Sequence, residues 1–111
     1  MTVKQLAETL GLEVLSMGDE PDREITGGYV GDLLSWVMGR AKSGDCWMTI
    51  MSNVNVAAVA ELADVACVIL AENVLPDEPL KQKFDTIAAA VFRSPMGSHE
   101  LAWRVHEAAG V

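Results

Sequence analysis

Apolar residues recur along the chain with two periods, and the alternation between them predicts the fold. Val3, Leu6, Ala7 and Leu10 fall on one face of a helix, with Thr2 before them and Gln5 three residues further on. That spacing predicts a capped helix which Gly11 ends. "LEVLS" reads as a short strand, and after the acidic loop "GDEPDRE" the stretch "ITGGYV" reads as a second one, interrupted by Gly27 and Gly28. Asp32 is placed to cap the next helix, where Leu33, Leu34, Val37, Met38 and Ala41 form an apolar stripe. Gly44-Asp45 then turns the chain. The rest reads as strand "CWMTIM", helix from about Val54 to Leu62, strand "ACVILA", a short helix from Glu78 to Phe84, strand "TIAAAVF", and a helix from His99 to Ala109. Ser98 is expected to cap that last helix and Gly110 to stop it.

Strands that are apolar almost throughout belong to a sheet covered on both faces. Their alternation with helices predicts parallel pairing through right-handed crossovers. The expected fold is therefore a three-layer α/β/α single domain, residues 1–111, with a mostly parallel (mixed) sheet. With 111 residues, half of them hydrophobic, there is material for one core and no room for two.

Charge narrows the partners. Sixteen Asp and Glu against eight Lys and Arg give −8, and no basic run offsets it. Phosphate backbones and anionic lipid are repelled, so nucleic acid and membrane surfaces are excluded as partners. No apolar run approaches the ~20 residues that span a bilayer, and the amphipathic N-terminus lacks the apolar centre of a signal peptide. A cytoplasmic protein is expected. Cys46 and Cys67 sit inside apolar runs and are expected to be buried free thiols.

Catalytic motifs fail one by one. "GRAKSGD" has Ala41 where a phosphate-binding loop needs its second glycine, and Thr26 stands where a dinucleotide fingerprint needs its first. There is no G-x-S-x-G nucleophile elbow. Two cysteines are half of what a zinc ribbon or iron–sulfur cluster takes from one chain. His99 and His106, seven residues apart on one helix, are separated by roughly 10 Å and cannot share one metal directly. No catalytic residue, metal site or cofactor is expected, and the chain does not read as an enzyme.

What remains is binding chemistry. His99, Trp103 and His106 form a stripe opposite Leu101, Val105 and Ala108, so Trp103 points away from the core. Trp36 lies about 130 degrees from the centre of its own apolar stripe. These four residues mark either a homodimer interface or partly sheltered packing within one monomer. "SNVN" follows a buried strand and starts a helix, where ligands of open parallel sheets bind. Asn53 and Asn55 either cap that helix or reach a ligand. The glycine pair is also open to two readings: a bend or bulge in the strand, or an anion-holding turn to which Arg23 adds charge.

"DREITGG", followed by "YVGDLLSWVMGRAKSGDCWMTI", resembles the DRTGG domain family, whose letters here are Asp22, Arg23, Thr26, Gly27 and Gly28 with Glu24-Ile25 inserted. The resemblance continues through "NVAAVAELADVACVILAENVLPDE" and covers nearly the whole chain. It implies a fold similar to the N-terminal domain of HPr kinase and a regulatory rather than catalytic role, with the five motif residues as candidate ligand contacts. On this basis the chain is expected to be a regulatory or ligand-sensing domain, binding a small anionic or nucleotide ligand, a protein partner, or both. Stand-alone relatives beside iron-only hydrogenase genes imply the alternative of an accessory protein for a redox enzyme, acting through protein contacts.

Overall fold

The computed structural model describes residues 1–111. In chain order the elements are α1 (Val3–Leu10), β1 (Glu13–Ser16), β2 (Gly27–Val30), α2 (Leu34–Arg40), β3 (Asp45–Thr49), α3 (Asn55–Ala63), β4 (Cys67–Leu70), α4 (Glu78–Lys83) with a 3-10 turn at Phe84–Thr86, β5 (Ala90–Arg93) and α5 (Ser98–Ala109). The sheet runs β1-β5-β4-β3-β2. Pairs β2–β3, β3–β4 and β4–β5 are parallel, while β1 lies antiparallel on β5. This is the expected α/β/α sandwich with a mixed sheet.

The three central strands are buried along almost their whole length because helices cover both faces, and their polar residues Asp45, Thr49 and Arg93 stand at the strand ends. Cys46, Met48, Cys67, Ile69 and Phe92 point to one face and pack with Val3, Leu6, Leu101 and Val105 of α1 and α5. The alternate residues, including Trp47, Val68, Leu70 and Val91, point to the other and meet Val37, Val56, Val59 and Leu80 of α2, α3 and α4. Period-two alternation thus divides each strand between the apolar layers on the two faces of one sheet.

Local chemistry sets the helix ends. Thr2 and Gln5 form the expected capping box, with Gln5 N donating to Thr2 Oγ1 over 3.2 Å and Thr2 N to Gln5 Oε1 over 2.9 Å. Gly11 and Gly110 end α1 and α5 in the left-handed conformation. Two expected caps are not formed. Asp32 does not cap α2; its Oδ1 accepts from Thr49 Oγ1 and Ile50 N, both at 2.9 Å, and so ties the β2 exit to the β3 exit. Ser98 does not cap α5 either. It lies inside the helix, and its own N–H donates to Glu72 Oε2 at 2.8 Å. In each case a partner distant in sequence replaced the local one.

The α2 stripe is narrower than expected. Val37 is buried and Leu34 and Ala41 are half-buried, but Leu33 and Met38 are exposed. The glycine pair does not bulge β2: Gly27, Gly28, Tyr29 and Val30 face Asp45, Cys46, Trp47 and Met48 in unbroken register. The irregularity of the sheet lies instead in β1, between Val14 and Ser16.

Candidate functional site

Strand direction separates the expected ligand contacts. Asp22, Arg23, Thr26, Gly27 and Gly28 lie at the edge where the parallel strands begin, whereas Asn53 and Asn55 lie beyond the end of β3. The seven residues therefore form two groups at opposite ends of the sheet.

The first group is bound into the fold. Arg23 Nη1 and Nη2 donate to the two carboxylate oxygens of Asp64 at 3.0 and 3.1 Å, and Nη2 also donates to the Asp64 carbonyl at 2.9 Å and to Ser43 Oγ at 3.2 Å. Its backbone carbonyl accepts from Val3 N at 3.0 Å. One side chain and its backbone thus join α1, the turn before β3 and the left-handed residue that ends α3. The hydrogen bonds from Arg23 first, and from Ser43 second, hold the Asp64 carboxyl below the usual carboxylate range. Thr26 Oγ1 donates to the Ser43 carbonyl.

The glycines differ from one another. A Cβ on Gly27 would run into the carboxylate of Asp45, a buried side chain whose other oxygen is held by Lys42 N at 2.8 Å. A Cβ on Gly28 would meet nothing nearer than Met48 Cε at 3.7 Å, which is ordinary contact. The close approach that the sequence placed at the pair belongs to Gly27. Gly44, the turn expected from Gly44-Asp45, lies beside Thr26, whose N–H donates to its carbonyl at 3.0 Å. It turns with φ +88° against Thr26, a conformation that favours glycine.

Around this edge opens a depression of about 660 Å³ lined by Asp19, Glu20, Pro21, Asp22, Arg23 and Asp64. Four carboxylates surround one guanidinium that is already engaged, so the surface repels anions. Of the two readings of the glycine pair, the anion-holding turn is not favoured by these charges.

In the second group, Asn53 Oδ1 accepts from Asn55 N at 2.9 Å, a turn leading into α3, whose N-cap position is Val54 and carries no side-chain cap. The Asn55 side chain borders a depression of about 300 Å³ between α3 and the α4 turn. Its apolar lining comes from Val54, Ala57, Ala58 and Ile87, and Lys83 and Thr86 add a cation and a hydroxyl. Glu61, also at its rim, accepts from Ala88 N at 2.9 Å. Lys83 and Thr86 escaped the sequence reading, since nothing in "LKQKFDT" marks them until α4 is folded against α3.

The loops after β4 and β5 are joined by backbone hydrogen bonds. Glu72 N donates to the Met96 carbonyl and Asn73 N to the Ser94 carbonyl, at 2.9 and 3.0 Å. Glu72 and Asn73 both hold left-handed backbone, φ 57° and 62°, which is costly for residues with side chains.

Trp36 and Trp103 are exposed, at 54% and 44%, but they occupy opposite layers: Trp36 on α2, and Trp103 with His99 and His106 on α5. Each ring carries an arginine, Arg40 at 3.9 Å from the Trp36 centroid and Arg104 at 4.8 Å from that of Trp103. The four residues do not form one patch. His106 Nδ1 lies 2.6 Å from the Val111 carbonyl. Cys46 and Cys67 are buried free thiols, side by side on β3 and β4.

No protein-family model matches the chain, and no curated protein matches it. Its fold is similar to that of the CBS and DRTGG domains of the regulatory region of Clostridium perfringens pyrophosphatase, a structure solved in complex with the activator diadenosine tetraphosphate. The likeness has a TM-score of 0.70 at 13% sequence identity and covers 97% of this chain and 47% of that one. The chain thus spans about half the length of the neighbour it matches. No helix is long and apolar enough to cross a membrane.

Proposed function

We propose that this chain is a non-catalytic regulatory domain that senses a small anionic ligand of the nucleotide class. The observation that carries the reading is the fold: nearly the whole chain superimposes on half of a regulatory region that was solved with a nucleotide activator. Within this chain the chemistry favours the depression between α3 and α4. Its apolar lining suits a base, Asn55 suits hydrogen bonding, the Thr86 hydroxyl, which donates to the Lys83 carbonyl at 2.7 Å, can accept from a ligand, and Lys83 suits a phosphate. The depression beside Arg23, ringed by carboxylates, suits none of these.

Thermal unfolding with ATP, AMP and diadenosine tetraphosphate tests the proposal. A ligand at a hundredfold excess over its dissociation constant stabilises the native state by about 2.7 kcal/mol, a rise of many degrees for a domain of this size. Lys83→Ala is expected to leave the melting temperature of the free protein in place and to reduce the nucleotide-induced rise. The absence of any shift with all three nucleotides at millimolar concentration overturns the reading. Turnover of a nucleotide by the purified chain overturns its non-catalytic part.

A further inference from the structure

The two edges of the sheet are treated differently. The β1 edge is irregular, shifting register between Val14 and Ser16, and Glu13 forms an ion pair with Arg93 across it at 2.9 Å. Bulges and charges of this kind discourage another strand from adding. The β2 edge has no such device. Met1 and Thr2 pair with Ile25 and Glu24 just upstream, but from Gly27 to Val30 the strand pairs only with β3, in unbroken register. "GGYV" carries no charge and no proline. Beside it stand exposed apolar groups, Val30 at 47% and Leu33 at 61%, together with Ile50.

Charge distribution identifies what fits this edge. Residues 25–60 contain two acidic side chains, Asp32 and Asp45, and two basic ones, Arg40 and Lys42. The whole net charge of −8 therefore resides in the remainder of the chain. A second copy approaching by the surfaces of the remaining segments meets like charge; approaching along β2 it meets a neutral, partly apolar edge with unpaired backbone groups, which the equally neutral helix α2 does not offer. A two-fold axis between Gly28 and Tyr29 brings the same strand back antiparallel, so that each copy supplies the other's missing hydrogen bonds.

We propose that two copies of this chain associate through β2, antiparallel across a two-fold axis, to form one continuous ten-stranded sheet. The contact comprises Gly27–Val30 with Leu33 and Ile50 at its margin. His106 and Val111, which line a cleft with Gly28 and Val30, stand at the other margin. The pairing does not depend on the nucleotide reading.

Sedimentation of the full chain across micromolar concentrations tests the pairing, together with hydrogen exchange at low and high concentration. The wild type is expected to dimerise, with backbone protection at residues 27–30 rising with concentration. Val30→Lys and Leu33→Asp, both at exposed positions, are each expected to weaken the dimer at least tenfold while circular dichroism stays native. A wild type that is monomeric throughout overturns the proposal. So does a dimer that both variants leave unchanged, or one that only Trp103→Ala disrupts. A dimer without any nucleotide shift leaves this inference standing and removes the functional one; a nucleotide-responsive monomer does the reverse.

Discussion

The depression beside Arg23 and the depression beside Lys83 are both open, both polar at the rim and both supplied with one cation, yet they are built for different ends. At the first, the guanidinium spends its donors on Asp64 and Ser43, and four carboxylates set the field. At the second, the floor is apolar, the acidic neighbour Glu61 is occupied by Ala88 N, and Lys83 reaches the rim from a different helix. A conspicuous run of residues such as "DREITGG" marks the place where the chain is most tightly constrained, which is a property of folding. A recognition surface needs unspent groups, and those come from residues whose positions look ordinary in sequence.

The contrast is sharpest at the glycines near Arg23. Gly44→Ala forces a side chain into left-handed backbone against Thr26, at an expected cost of about 2–3 kcal/mol. Gly27→Ala must displace the Asp45 carboxylate from its Lys42 hydrogen bond and is expected to cost about 1–2 kcal/mol. Gly28→Ala, whose new methyl group makes only ordinary contacts, is expected to change stability by under about 0.5 kcal/mol, and a small gain is allowed because glycine weakens a strand. Urea midpoints measure all three; equal losses at Gly27 and Gly28 break the assignment.

Arg23→Ala follows, with an expected loss of about 1–2 kcal/mol from the charged hydrogen bonds and the carbonyls left unpaired. The loss should depend on pH in a defined direction. Asp64 has a lower pKa folded than unfolded, so its pairing adds stability above the ordinary carboxylate pKa of about 4 and loses it as pH falls through the depressed value. The gap between wild type and Arg23→Ala is therefore expected to narrow on acidification below about pH 4. A gap that is constant from neutral to strongly acidic pH breaks the ion-pair account. Arg23→Ala is also expected to retain in full any nucleotide-induced rise in melting temperature, which Lys83→Ala reduces.

A modest gain is expected at the far edge. Asn73→Gly relieves left-handed backbone and should raise stability by at most about 1 kcal/mol, because glycine also gives the unfolded chain more freedom. A clear loss in equilibrium unfolding would show that the Asn73 side chain contributes a contact beyond its backbone bond to Ser94.

Secondary structure was legible because each element carries its own period and, in α1, its own caps: Thr2, Gln5 and Gly11 are neighbours of the helix they bound. What was not legible came from residues far apart in sequence. Asp32 is a plausible cap until Thr49 and Ile50 arrive beside it, and Ser98 until Glu72 does. Gly27 and Gly28 are identical in sequence terms, and only Asp45, set opposite by the parallel register, separates them. The antiparallel placement of β1 follows from where the first connection runs, which no local pattern encodes. Of the candidate contacts, Asn55 borders the favoured depression, while Lys83 joins it only through the packing of α4.

The paired thiols have a practical consequence. Cys46 and Cys67 are wholly enclosed, and the Cys46 thiol is held well above its ordinary pKa, first by its hydrogen bond with Cys67 and then by burial. Neither is an effective nucleophile while the sheet is intact. Because they lie on the two central parallel strands, under α1 and α5, a thiol reagent can reach them only when the core opens. The rate of labelling is thus a clock for opening of the domain, one that requires no introduced cysteine and that bound ligand or a second copy should slow.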